Sequence, residues 1–195
     1  MKPLPVAVKA REASPARAIP DLPLLDQTGA VVRFHRDVLR GRLAFLAFGY
    51  TRCAGSCPAT ALTMMRIGRL LRERAVPDAV LVTVTLDPES DTPEVLAEYA
   101  ARISAGPGWR FLTGRAEHLE ALRAHLGYRD PDPVVDADRS LHAARLTIGH
   151  EPSGRWAALP GSARAEEALS LGLRLRGDYA AARAVWRSPF VQRAG

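Results

Sequence analysis

Cysteine is scarce in this chain, with two residues among 195. A chain of that length can bury a core without covalent staples, so a disulfide scaffold is excluded. Lysine is nearly absent too, confined to Lys2 and Lys9. No run approaches the roughly 20 apolar residues that a bilayer-spanning helix needs. An export signal needs an apolar stretch of about 7–15 residues. Here only the short patch Val6-Ala7-Val8 lies between the two lysines. The sequence therefore reads as an intracellular chain or as one without its natural leader. Internal repeats are also missing. What is present, 47% hydrophobic and 25% charged residues, is the balance of a soluble globular domain.

The charge is lopsided, with 27 basic against 21 acidic residues and a formal net charge of +6. The arginines are scattered rather than gathered into an arm, so no nucleic acid is expected as a partner. A partner with acidic patches fits the excess.

Residues 1–20 carry Pro3, Pro5, Pro15 and Pro20 among small and charged residues and are expected to form a mobile tail. A turn at 26–29 followed by Val31–Phe34 predicts a small hairpin. The run Leu43–Tyr50 predicts a strand buried on both faces. A helix is expected from the second cysteine to about Arg74, with Pro58 in its first turn and Leu62, Met65 and Leu70 on its apolar face. Val80–Leu86 reads as a second central strand. Thr92 is the expected N-cap of a helix running to about Ile103. Trp109–Leu112 and Ala116–Leu126 follow as strand and helix, and residues 130–140 as a polar loop. Arg145–Gly149 and Arg155–Ala157 form a second hairpin, and helices cover about 163–176 and 178–187. Alternating strands and helices imply a sheet with parallel strands covered on both faces, and the hairpins add antiparallel ones. The pattern is an α/β, thioredoxin-like domain over residues 21–160, with a helical extension at 161–195 packed upon it.

The chemistry concentrates at residues 48–58, FGYTRCAGSCP, where a buried strand ends and Cys53 and Cys57 flank the start of a helix. Ligands of open α/β sheets bind outside the carboxyl ends of the strands. Free N–H groups at a helix N-terminus favour thiolate over thiol. Cysteines four apart on one turn reach the Cα separation of about 4.4–6.8 Å that a disulfide allows, and they can equally clamp a metal ion. Of the five histidines, His118 and His125 fall on one helix, His35 closes the first hairpin, and His150 sits at the second. His142 precedes the strand around Leu146, which should run antiparallel to the cysteine strand. That topology brings the start of one beside the end of the other. Two thiolates and an imidazole are a soft three-donor set. Structural zinc prefers four protein ligands, whereas thiolates select Cu(I) and imidazole also serves Cu(II). One copper ion is therefore the expected metal, and a catalytic zinc with an added water is the weaker fit.

The segment FGYTRCAGSCP, together with VTVTLDPESDTPEVLAEYA at residues 82–100, resembles the Sco/SenC family of copper chaperones. The likeness covers about residues 20–157. It implies a thioredoxin-like fold and copper held by Cys53, Cys57 and a distant histidine. It also implies a role in assembling the copper centre of cytochrome c oxidase. The partner would be the copper-site subunit of the oxidase or another copper chaperone, met by a monomer. The D-P-E-x-D-T-P run maps onto Asp87, Pro88, Glu89, Asp91, Thr92 and Pro93, and Asp87 is a candidate support for the metal ligands. Turn and capping chemistry is the alternative for Asp87 and Asp91. Family members work tethered in the periplasm or the mitochondrial intermembrane space, but no anchor is visible here. The basic amphipathic stretch Arg164–Arg187 could touch an anionic membrane or cover the sheet.

The sequence departs from the family at the histidine. Asp138-Arg139-Ser140 keeps the family's flanking residues with arginine in the ligand position, whereas Leu141-His142-Ala143 keeps the histidine without the flanks. His142 leaves the following strand at nearly the expected distance and is the preferred register. With the other register the site is a bare dithiol. Its function would then be that of a thiol-disulfide oxidoreductase, in which one cysteine attacks a partner disulfide and the other resolves the mixed disulfide. A peroxiredoxin is set aside because neither cysteine has a threonine three residues before it.

Overall fold

The computed structural model describes residues 19–53, 55, 57–138 and 144–186. A seven-stranded mixed sheet forms its centre, in the order β2-β1-β5-β4-β3-β6-β7. The strands are β1 (Pro23–Asp26), β2 (Val31–Arg33), β3 (Leu43–Gly49), β4 (Ala79–Thr85), β5 (Trp109–Thr113), β6 (Arg145–His150) and β7 (Arg155–Pro160). The central β3, β4 and β5 run parallel, and hairpins add antiparallel strands at both edges. Among the described residues six α-helices accompany the strands: α1 (Cys57–Glu73), α2 (Pro93–Arg102), α3 (Ala116–His125), α4 (Pro133–Ala137), α5 (Ala165–Arg176) and α6 (Tyr179–Trp186).

Every residue of β3 is buried, as its unbroken apolar sequence requires. Alternation sends Leu43 and Phe45 into one core, with Met64 and Ile67 of α1 and Leu169 and Leu173 of α5. It sends Ala44, Leu46 and Phe48 into the other, with Leu122 of α3. The amphipathic α5 thus covers the sheet. Gly172 lets it lie close, since a Cβ there would meet the Phe45 ring at 3.0 Å. Among the described residues no helix is long and apolar enough to cross a membrane.

The local signals for α2 hold. Thr92 accepts a hydrogen bond from the Val95 N–H (3.4 Å), and Pro93 occupies the first turn. Three expectations are corrected. Phe34 does not extend β2 but opens a wide helical turn, Phe34–Leu39, which buries Phe34, Val38 and Leu39. Residues 130–140 are not all loop, because Asp132 caps α4 by accepting from the Val134 N–H (2.9 Å). On α1 the core side carries Met64, Ile67 and Leu71, whereas Leu62 and Met65 face solvent.

Candidate functional site

The site forms where β3 and β4 end side by side. Gly49 is paired with Thr85, and the Leu86 N–H donates to the Gly49 carbonyl (2.9 Å). Beyond Gly49 the chain turns, with the Cys53 N–H donating to the Tyr50 carbonyl (3.2 Å), and re-enters the fold as α1 at Cys57. The missing side chain of Gly49 makes room for a sulfur, because a Cβ there would sit 3.1 Å from Cys57 Sγ. Neither cysteine is in a disulfide.

The two sulfurs are within hydrogen-bonding reach of each other, and their acidities diverge. Burial works to raise the Cys53 pKa. The Cys57 thiol, the N–H groups of Cys57 and Gly55 and the Tyr50 hydroxyl all stabilise its thiolate, and the net shift is downward. Cys57 is deeper. Burial, then the adjacent Cys53 and its charge, push its thiol up to about 12, with Asp91 adding to the repulsion. Burial likewise raises the Tyr50 hydroxyl, and the Cys53 charge beside it adds to this. The pair therefore consists of an acidified outer sulfur and an inner sulfur that holds its proton.

A buried carboxylate fixes the turn that carries Cys53. Asp91 is completely buried. It accepts from the Thr51 N–H (3.2 and 3.4 Å), the Thr51 hydroxyl (2.6 Å) and the Thr85 hydroxyl (2.5 Å). Thr85 in turn accepts from the Asp87 N–H (2.9 Å). Asp87 holds the guanidinium of Arg52 at 3.0 Å, and Arg52 also donates to the Ser90 hydroxyl. Asp87 thus reaches the cysteines through the residue before Cys53. Behind Cys57 lies a cavity of about 30 Å³, lined also by Met64, Tyr99, Trp109 and Phe111, which is room enough for a water molecule.

Of the expected ligands, Cys53 and Cys57 come together here, while His142 and the competing Arg139 lie outside the described residues. Among the described residues, no three His, Cys, Asp or Glu groups are placed to hold a metal ion. The other histidines stand elsewhere. His150 pairs with Leu43 at the opposite end of β3, roughly 20 Å from the cysteine end at about 3.3 Å per residue. Its Nδ1 is buried without a hydrogen-bond partner. His35 Nε2 lies 3.0 Å from Glu151. His118 Nδ1 donates to the Pro23 carbonyl (3.1 Å), and His125 is on the same helix. Gly49, Thr51, Thr85 and Tyr50 escaped the sequence reading. A glycine closing a bulky apolar strand beside a cysteine was the available signal for the first of them.

The family model for SCO1/SenC matches residues 10–151. A relative in Stutzerimonas stutzeri, whose assigned name points to copper binding, is 39% identical over 134 residues (68% of this chain, 64% of the relative). The "SCO2-like protein" of Rickettsia felis is 32% identical over 127 residues (62% and 60%). The chain thus spans about three fifths of the length of these two curated relatives. Among solved structures, copper-bound ScoI of Bradyrhizobium japonicum is similar with a TM-score of 0.63 and 25% identity, over 80% of this chain and 99% of that one. With a thioredoxin-like sheet, a dithiol at its carboxyl end and these likenesses together, the chain belongs to the SCO1/SenC family.

Proposed function

We propose that this protein is a copper-carrying chaperone. It holds one copper ion through Cys53, Cys57 and His142 and passes it to the copper site of cytochrome c oxidase, or exchanges it with another copper chaperone. The observation that carries the reading is the sulfur pair at the strand-to-helix turn, mutually in reach and backed by the Asp91 clamp. Soft thiolates suit Cu(I), and an imidazole would extend the set to Cu(II). The register of β6 on β3 supports His142, because Leu146 lies opposite Ala47 and β6 therefore begins at the cysteine end of the sheet. The similar Bradyrhizobium protein carries copper, and the family resemblance points to the oxidase as recipient. As a thiol held near 12, Cys57 must lose its proton to bind metal, so apparent affinity rises with pH.

The divided acidity favours a second reading, a thiol-disulfide oxidoreductase. Cys53 thiolate would attack a partner disulfide. Cys57 would then resolve the mixed disulfide, leaving a Cys53–Cys57 bond and a reduced partner. Titration of the reduced protein with Cu(I) and Cu(II), followed by metal analysis and absorbance, decides between them. The copper reading expects about one equivalent bound, loss of tight binding in Cys53→Ser or Cys57→Ser, and a weakening of Cu(II) more than Cu(I) in His142→Ala. A reduced protein that ignores both ions but rapidly reduces partner disulfides is the oxidoreductase. Undiminished binding of both ions by His142→Ala removes that residue from the ligand set.

A further inference from the structure

The core side of α1 is filled, but its outer side is not polar throughout. Leu62 and Met65 are 46% and 36% exposed. They lie three positions apart on one face, in the turns that follow Cys57, and form a short apolar stripe leading away from the dithiol. Single exposed apolar residues are ordinary on protein surfaces. These two are neighbours on the helix whose first residue is Cys57, about 8 and 12 Å further along its axis at 1.5 Å per residue. The stripe is bordered by positive charge. Arg66 and Arg69 are exposed on the same side of α1. Arg69 has Glu73 at 3.6 Å, an exposed pair of little worth. Arg52, with 69% of its side chain exposed, stands beside Cys53. Arg164 is exposed on the turn whose Ala163 carbonyl accepts from the Thr63 hydroxyl of α1 (3.2 Å).

We infer that the outer face of α1 around Leu62 and Met65 is the docking surface for a protein partner whose matching patch is apolar at its centre and ringed by carboxylates. The nature of the partner's own site rests on the copper reading above, but the surface does not. Any exchange through Cys53 brings another protein's ligands into bonding reach of that sulfur, so the contact must surround it, and α1 is the helix that starts there. A small apolar centre within a charged rim suits a brief encounter, because opposite charge speeds association while little buried area holds the complex. A second copy of this chain is the poorer occupant, since it would bring arginine against arginine at a net charge of +6.

The test uses the full chain, reduced and free of copper. Isotope-labelled protein is titrated with the reduced, copper-free, soluble copper-centre domain of an oxidase subunit of net negative charge. Amide shifts are expected to concentrate on residues 57–69, with a dissociation constant that rises with salt. The double variant Leu62→Glu/Met65→Glu, and separately Arg66→Glu, should each weaken binding by about tenfold or more. Copper stoichiometry and thermal midpoint should stay unchanged, since both sites lie outside the sulfur pair and the core. Shifts centred on another face, or equal affinity for the variants, overturn the inference. So do α1 shifts that depend on protein concentration alone, which mean self-association, and α1 shifts produced by anionic phosphatidylglycerol vesicles but not by the domain. Copper binding without docking leaves the copper reading standing and removes the surface. Docking on α1 by a chain that binds no copper does the reverse.

Discussion

Replacing Asp91 by asparagine keeps the side chain's shape and removes one acceptor oxygen and the negative charge. Asp91 satisfies three donors from two segments, the Thr51 N–H, the Thr51 hydroxyl and the Thr85 hydroxyl. An asparagine carbonyl can still serve one side of that set. Its NH₂ must then face a hydroxyl that was donating. Thr85 already accepts from the Asp87 N–H, so its own proton would be left without an acceptor. A hydrogen bond to a charged group is worth about 1.5–3 kcal/mol, and with the carboxylate completely buried the loss is not made good by water. For a chain of this size 1 kcal/mol moves the midpoint by about 2–4 °C, so Asp91→Asn should lower it by about 3–12 °C. Asp91→Ala leaves all three donors unpaired and should cost about 3–5 kcal/mol. Denaturant unfolding of the reduced protein at neutral pH measures both. The clamp also carries Cys53, so alkylation of Cys53 in folded Asp91→Asn should show an altered pH profile. An Asp91→Asn protein within 0.5 kcal/mol of the parent, with unchanged Cys53 alkylation, would refute the claim that this carboxylate holds the turn.

Gly49→Ala places a methyl group 3.1 Å from Cys57 Sγ and forces the sulfur aside. Stability should change by no more than about 1–2 kcal/mol, since overpacking is partly offset by replacing a strand glycine. The copper affinity of the pair should fall at least tenfold in the titration described above, and parent-like affinity would show that the sulfur's position is not critical. Alkylation followed by mass spectrometry should find Cys53 modified at a pH below the ordinary thiol range and Cys57 spared until far above it; equal rates would contradict the divided acidity. The unfolded chain loses the Cys57 proton near the ordinary value of 9.0, before the folded chain does at about 12. Reduced-protein stability should therefore fall across that interval. Cys53 acts oppositely, adding stability above its ordinary value that is lost as pH falls through its lowered one.

Much of the fold was legible because local pattern and tertiary role agree. The apolar run of β3 is buried throughout, and Thr92 with Pro93 starts α2 where the capping signal puts it. The failures have physical causes. Phe34 follows Val31, Val32 and Arg33 in an apolar-polar alternation that a strand could continue, so nothing local separates the end of β2 from the helical turn that buries it. The Asp-Pro repeats before α4 carry turn chemistry and helix-start chemistry at once, and Asp132 uses the second. Periodicity shows that α1 is amphipathic without showing how wide the covered stripe is, which left Leu62 and Met65 on the wrong side. Asp91 stands next to a genuine N-cap and so resembles capping apparatus. Its partner Thr51 is 40 positions away, a pairing that only the folded chain creates.

The hollow behind Cys57 gives the inner sulfur a direction of travel. On one side the Gly49 backbone stands close, and on the other a cavity of about 30 Å³ opens among Met64, Tyr99, Trp109 and Phe111. Interiors packed to crystal density refuse such excursions. Here a turn of the Cys57 side chain would meet space on one side instead of packed atoms, so helix and sheet would not need to move with it. On the copper reading, such a rigid mount would leave ligand exchange to a side-chain torsion rather than to breathing of the domain.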